Sequence, residues 1–472
     1  MDAAVASPLR IADLPGPPRL PVLGNAHQIQ LPHFHEKLEA WRREYGDVFR
    51  VKVWDRQFVV MGDPQVAAEA LRDRPGTFGR TDRVVRASAE MHFAGLFSVN
   101  GDKWRRQRPM VMAAFDPGHV RRYFPALANV ARRLAARWSQ AAAQGKPIPL
   151  QHDLMRYTVD VICGLAFGRD IDTLGSDEEV LQKHMEHIFP MFFQRIFAPV
   201  PYWRWFKLPV DRKLDADLRV FRDAVQGFIA AARERMQADP ALREAPGNLI
   251  EAMIAARDRP GNDLDDEDVA ANVATMLLAG EDTTANTLAW MVHLLSRHPQ
   301  ALARARDEVR AALGSDRVPS RLEQLDAMPF VEACAHETMR LKPVAPIMPQ
   351  QASRDTVLAG VAIPAGTICI FLMRAGATDA RHFSEPEAFR PERWLGDDAG
   401  PGKRISMPFG AGPRICPGRY LALLEIKMAM ATLLGSFDIA SVTPVEGSEV
   451  QERLAFTMTP TAMAMRLQER RD

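Results

Sequence analysis

Most of the chain repeats apolar and polar positions with the 3.6-residue period of helices, and only short stretches alternate as strands do. The acidic run at 263–268 suits a helix N-terminus, and the helical pattern continues to Arg297 before Pro299 starts a new element. That predicts a helix of roughly 30 residues, on the order of 45 Å, long enough to cross the molecule. Residues 421–434 are apolar on most faces, interrupted only by Glu425, Lys427 and Thr432, and predict a buried central helix. Alternation at 48–53 and 58–61 around Trp54-Asp55-Arg56-Gln57 reads as a hairpin. A second hairpin is expected from 357–363 and 367–373, joined by Pro364-Ala365-Gly366. Pro15-Gly16-Pro17-Pro18 and Pro21 make a stiff lead-in within residues 1–25. The fold class is therefore mainly α with small β-sheets.

Composition narrows the class of protein. The 472 residues carry a formal net charge of +1, with 47% hydrophobic and 25% charged positions, so no global basic field recommends nucleic acid as a partner. Cys163, Cys334, Cys369 and Cys416 are far apart, and three of them sit in apolar surroundings, which suits a reducing compartment better than a disulfide framework. No run has signal-peptide or transmembrane length and apolarity. A soluble cytoplasmic protein of bacterial type, without a transmembrane anchor, is the expectation.

The phrase from Phe409 to Gly418, Phe-Gly-Ala-Gly-Pro-Arg-Ile-Cys-Pro-Gly, presents Cys416 from a glycine- and proline-bound loop just before the apolar helix. Glycines at 410, 412 and 418 let backbone approach something flat, and the positive end of the helix favours a thiolate. Read alone, Cys416 is as readily an ordinary buried cysteine as a metal-ligating thiolate, and as a nucleophile it would need a histidine partner. A zinc site lacks a second ligand at close spacing.

The loop fits Phe-x-x-Gly-x-Arg-x-Cys-x-Gly at all five fixed positions and resembles the haem-binding loop of the cytochrome P450 superfamily, the haem-thiolate monooxygenases. Other phrases follow the order of that family: the proline lead-in, Trp104-x-x-x-Arg108, the long helix with Ala279-Gly-Glu-Asp-Thr-Thr284, Glu337-x-x-Arg340, Pro391-Glu-Arg393, and the cysteine loop. The resemblance implies one cytochrome P450 domain over 26–472, with β-rich parts near 48–61, 350–373 and 436–468. Haem b would lie between the long helix and the cysteine-loop helix, with Cys416 as the iron ligand. Phe409, Gly410 and Gly418 would shape the cofactor loop, and Trp104, Arg108 and Arg414 would hold propionates. Asp282 and Thr283, with Glu281 beside them, take the acid and alcohol positions of a proton relay. Glu337, Arg340 and Arg393 form a structural triad. One departure is Gln350-Gln351, where many relatives place an arginine; Arg354 is a possible substitute.

Carried over by position, Ala279, Val344, Ile347, Phe456 and Thr457 line a mainly apolar substrate pocket, and the aromatic segment 189–206 forms a lid. The family resemblance implies hydroxylation of a fatty acid, terpenoid, steroid or polyketide by O2. Two electrons would come from a separate ferredoxin or flavodoxin with its reductase. Arg105, Arg106, Lys403, Arg404 and Arg414 are candidates for a basic patch facing that partner. A monomer is expected. Rival readings are a peroxide-driven peroxygenase and a non-catalytic haem sensor.

Overall fold

A computed structural model describes residues 7–168, 171–175, 180–261, 263–396 and 399–470. The first six residues of the proline-rich lead-in lie outside them. The long acidic-headed segment forms one 32-residue helix, Asp266–Arg297, started by a reciprocal cap between Asp265 and Asp268. It runs through the interior and packs on helices Leu150–Phe167, Pro329–Leu341 and Arg419–Ser436. Burial on nearly every face explains its apolar composition, and Trp290 is 1% exposed. Gly280 sits where Leu150–Phe167 crosses. A Cβ there would come within 2.8 Å of the Ile162 Cδ1, so the glycine permits the close approach.

The first hairpin forms as its alternation predicts, Val48–Val53 pairing antiparallel with Arg56–Met61. The second does not. Ala359 and Gly360 both take positive φ and turn the chain early, so Thr356–Leu358 pairs with Val361–Ile363 in a small separate hairpin. Ile368–Leu372, buried along most of its length, instead enters a five-stranded sheet between Arg56–Met61 and Ile347–Ala352. Its apolar run without alternation fits that central place. Ile148–Pro149, Met463–Glu469 and Phe437–Pro444 form a second sheet in that order. The hairpin of Glu452–Leu454 and Met458–Pro460 carries Phe456 and Thr457 at its tip, Phe456 at φ +94°.

Behind the cysteine loop, Glu337 and Arg340 are fully buried and joined by two hydrogen bonds of 2.8 Å, Arg340 Nε and Nη2 each donating to a carboxylate oxygen. Arg393 Nε, Trp394 Nε1 and the Arg390 N–H also donate to Glu337, at 3.0, 2.8 and 2.8 Å. Arg340 spends its remaining donors on the carbonyls of Ala377, Pro386 and Ala388. The network ties the helix Pro329–Leu341 to the irregular chain from Ala377 to Trp394, which leads to the cysteine loop.

Candidate active site

A cavity of about 680 Å³ opens between the long helix, the cysteine loop and the lid helix Val180–Phe197. Its floor is the cysteine loop, with Phe409, Gly410, Cys416 and Gly418 on the wall. Gly412 is needed for a different contact: at φ +69°, a Cβ there would meet the Leu71 carbonyl oxygen at 2.5 Å. The loop is thus pressed onto the helix Pro64–Arg72 rather than thinned toward the cavity. Its register is closed by the Cys416 N–H donating to the Phe409 carbonyl at 3.0 Å.

Burial pushes the Cys416 thiol up, against the backbone N–H groups of Gly418 and Arg419 and the charges of Arg108 and Arg419. Burial therefore opposes the thiolate that the helix end favours. Binding a metal, which requires the deprotonated sulfur, must supply the rest.

The wall carries seven arginines, Arg56, Arg74, Arg80, Arg83, Arg86, Arg108 and Arg414, against two acids, Asp82 and Glu425. Such an excess of cation in an apolar cavity calls for an anionic occupant. Four arginines form an inner group. Arg414 lies over the Trp104 ring at 4.9 Å and donates to Val99 O and Asn100 Oδ1, while its Nε and Nη1 are buried without a partner among the described residues. Arg108 donates to Ile415 O at 2.8 Å, and Arg74 to Leu71 O and Ala411 O. Arg80 donates to Phe97 O at 2.7 Å. Burial, with repulsion from neighbouring arginines, pushes Arg74 and Arg414 down to about 9, and burial lowers Arg80 to about 10. Trp104 serves through its ring face, as a platform for Arg414.

Arg354 does not fill the gap left by Gln350-Gln351. It is exposed and bonds Thr77 Oγ1, Gln350 is buried against Pro349 O, and Gln351 is held by Asp82. The charge comes instead from Arg74 and Arg80, on the chain between the helix Pro64–Arg72 and the helix Asp82–Glu90. Sequence reasoning missed both, because nothing in Arg74-Pro75 or Gly79-Arg80 marks them as facing inward.

Arg414 also leaves the expected basic patch. It points into the cavity, and Arg105 pairs with Asp102, while Arg106 lies 3.9 Å from Asp263 and Lys403 and Arg404 are exposed.

On the long helix, Ala279, Gly280, Thr283 and Thr284 reach the wall. Thr283 Oγ1 donates to Ala279 O at 2.8 Å, the back-bonding that loosens a helix. Glu281 is buried and Asp282 part-buried, and neither lies on the wall. Asp282 accepts from Asn286 Nδ2 at 2.8 Å and from the Thr457 hydroxyl, and burial pushes its carboxyl up. It reaches the cavity through Thr457, which does line it. Glu425, read earlier as an interruption of an apolar helix, also faces the cavity. It accepts a hydrogen bond from Thr284, and burial pushes it up to about 8. A lone glutamate in an apolar run was the available signal.

Val344, Ile347 and Phe456 complete the wall. Phe456 stacks on Phe189 at 5.0 Å and contacts Phe192 and Phe97. The lid segment divides: Phe189, Phe192, Phe193 and Phe197 line the cavity, Trp203 Nε1 donates to Glu90, and Trp205 and Phe206 are 71% and 58% exposed.

One cysteine on an apolar floor, with a loosened threonine helix and four arginines on the same wall, is a geometry that suits a haem-thiolate site. The family model described as "Cytochrome P450" matches residues 14–465. The chain belongs to the cytochrome P450 family. Among curated relatives, it is 28% identical to Cytochrome P450 3A6 of Oryctolagus cuniculus, over 90% of this chain and 85% of that one. It is 30% identical to the Cytochrome P450 monooxygenase aneD of Aspergillus aculeatus, over 90% and 80%. Identity to the human mitochondrial 25-hydroxyvitamin D-1 alpha hydroxylase is 28%, over 91% and 87%. In fold it resembles the crystal structure of the cytochrome P450DA heme domain, with a TM-score of 0.82 and 25% identity over 97% of this chain and 98% of that one. This cytochrome P450 is accordingly a monooxygenase, a haem-thiolate oxidoreductase that uses O2 and a redox partner.

The residues present fit that cofactor, since Arg414 lines the cavity and, among the described residues, leaves two buried guanidinium nitrogens without a partner, which a propionate would satisfy. In the purified haem-loaded protein, Arg74→Gln is expected to speed transfer of haem to an apo-globin acceptor by roughly tenfold, the worth of one charge-assisted hydrogen bond. An unchanged transfer rate counts against Arg74 as an anchor.

Proposed function

We propose that this cytochrome P450 is a soluble, cytoplasmic, monomeric enzyme that hydroxylates an apolar small molecule, using haem b and a separate ferredoxin or flavodoxin with its reductase. The observation that carries the reading is the placement of Cys416 and Thr283 on the wall of one apolar cavity. In support of solubility, no helix among the described residues is long and apolar enough to cross a membrane. Haem bound at Cys416 supplies the redox chemistry that activates O2. Arg74, Arg80, Arg108 and Arg414 would hold its carboxylates, and the Glu337 network would keep the cysteine loop in place.

The protein's own groups then manage protons and water. Thr283 keeps a hydroxyl on the cavity wall, and Asp282, raised by burial, can hold a proton at the carboxyl that faces Thr457. On this reading the two groups would help deliver the two protons that each turnover consumes. The phenylalanine wall excludes bulk water, and overall the substrate C–H gains one oxygen atom while the other leaves as water with two electrons from the partner.

Thr283→Ala tests this reading. With a surrogate ferredoxin system, reductant consumption should continue while product per reductant falls by about tenfold or more, the usual worth of a positioned proton donor. Equal product from peroxide alone in both proteins, with none from reductant and O2, would assign the peroxygenase reading instead. Absence of product under every condition would leave the sensor reading.

A further inference from the structure

The hairpin of Glu452–Leu454 and Met458–Pro460 has three residues in each strand, and two short strands alone are barely stable in water. Its tip nevertheless holds Phe456 at φ +94°, a backbone conformation that a bulky side chain keeps only when its surroundings fix it. Part of the fixing is backbone, since the Met458 N–H donates to Val344 O at 2.8 Å. The rest lies at the base of the hairpin, where Glu452 is 7% exposed among polar groups from three other parts of the chain.

Glu452 accepts from His35 Nε2 at 2.8 Å, Arg374 Nη1 at 2.7 Å and Lys342 Nζ at 2.5 Å. His35 comes from the helix Phe34–Tyr45, Lys342 follows the helix Pro329–Leu341, and Arg374 lies just beyond the strand Ile368–Leu372. Arg374 also donates to Glu39 through Nε and Nη2, at 3.0 and 2.8 Å. Lys342 lies over the Trp290 ring at 4.8 Å. Burial would raise the Glu452 carboxyl, but the His35 hydrogen bond and the charges of Arg374 and Lys342 hold it well below the usual carboxylate range. Arg374 and Lys342 balance Glu39 and Glu452 in charge.

None of these side chains lines the cavity, yet the segments they hold do: Phe456 and Thr457 beyond Glu452, Val344 beside Lys342, and Ile370 before Arg374. A buried charge cluster is seldom the most stable filling for its space, since apolar side chains of similar volume often serve as well. Its directional bonds can instead select one placement of the elements that carry it.

We propose that Glu452, through His35, Lys342 and Arg374, is a positioning residue for the substrate cavity, fixing where the hairpin tip stands against the lid and the long helix. The tip acts on both. Phe456 stacks on Phe189 of the lid helix, and the Thr457 hydroxyl donates to Asp282. A tip freed at its base loses the shape of that wall and the hold on Asp282 together. This role deepens the monooxygenase reading and rests on it for the consequence at Asp282, whereas the consequence at the wall is one of ligand fit.

The test titrates haem-loaded protein with imidazole and with clotrimazole, both of which ligate iron through nitrogen and shift the haem absorption band. Imidazole offers little surface to the wall, while the triarylmethyl body of clotrimazole must be packed by it. In Glu452→Gln, clotrimazole should bind about fivefold or more weakly, because the wall must now be ordered on binding, while imidazole changes by less than about twofold. The thermal midpoint should fall by several degrees, since one cation of the cluster is left unmatched.

Adding Lys342→Met leaves Arg374 with Glu39 and restores the balance of charge, so the midpoint should largely recover. The azole ratio should not recover, because His35 and Arg374 bond different oxygens of the carboxylate and glutamine has only one. An unchanged ratio in Glu452→Gln overturns the proposal. So does a ratio that recovers with the midpoint in the double variant, because the cluster would then serve stability alone. Should Glu452→Gln by itself not fold, the double variant decides by the same ratio, and failure of both to fold overturns the proposal by assigning the cluster to folding. Product from reductant and O2 is measured separately: its absence from the unmodified protein counts against the oxygenase reading and leaves the placement of the tip to the azoles.

Discussion

Cys416→His is expected to abolish the strongly red-shifted absorption band that the reduced carbon monoxide complex of a thiolate-ligated haem shows, while haem itself remains bound. Imidazole can ligate iron but does not push electron density onto it as a thiolate does. Product formed with reductant and O2 should fall on the order of a thousandfold or more, equivalent to about 4 kcal/mol of lost transition-state stabilisation. The prediction separates ligand identity from cofactor retention because holding the haem does not depend on the cysteine alone. Arg74, Arg80, Arg108 and Arg414 surround the cavity, and Arg108 and Arg414 are joined to backbone rather than to the sulfur. Persistence of the red-shifted band in Cys416→His would exclude Cys416 as the iron ligand, since Cys163, Cys334 and Cys369 are buried off the cavity wall. Loss of haem altogether would instead show that the arginines do not hold it.

What the sequence disclosed follows how local each signal is. The long helix was legible because an acidic cap, an apolar period and a following proline all lie within one segment. The cysteine loop was legible because its five fixed residues are contiguous. Ile368–Leu372 was misplaced because its run was read as one arm of a local hairpin, whereas its partners at 56–61 and 347–352 are set by the sheet. The turn that decided the matter, Ala359-Gly360, lay inside a stretch assigned to a strand.

Side-chain direction was the least legible feature. The resemblance assigns Asp282 to an acid position of a proton relay, yet its carboxyl accepts from the hydroxyl of Thr457, 175 residues away in the chain. Arg414 was counted for both the propionates and the surface patch, and packing on Trp104 resolves it inward. Arg74 and Arg80 carry no local mark at all. Each is defined by what stands across the cavity, such as Ala411 O for Arg74 and Phe97 O for Arg80, and spacing along the chain cannot report that.

Glu337→Ala should be the most damaging substitution outside the cavity. Glu337 is the shared acceptor for Arg340, Arg393, Trp394 Nε1 and the Arg390 N–H, so its removal orphans two charged groups and two further donors at once. Breaking a fully buried ion pair by deleting one partner costs about 3–5 kcal/mol, a large share of the roughly 5–15 kcal/mol that holds a typical domain. The loss is directional as well as energetic, because Arg340 anchors Ala377, Pro386 and Ala388 on the chain leading to the cysteine loop. Soluble haem-containing protein should therefore fall sharply, and the thermal midpoint of what remains should drop by several degrees. Glu337→Gln should be milder in packing yet still deficient, since it keeps one acceptor oxygen and loses the charge facing two guanidiniums. Arg105→Ala, which breaks the exposed pair with Asp102, provides the contrast and should change stability by less than about 1 kcal/mol. If Glu337→Ala and Arg105→Ala have similar midpoints and haem content, the network is not what fixes the cysteine loop. A normal midpoint with lost haem would place its role in the loop alone, because global stability would then come from the helices around Asp266–Arg297.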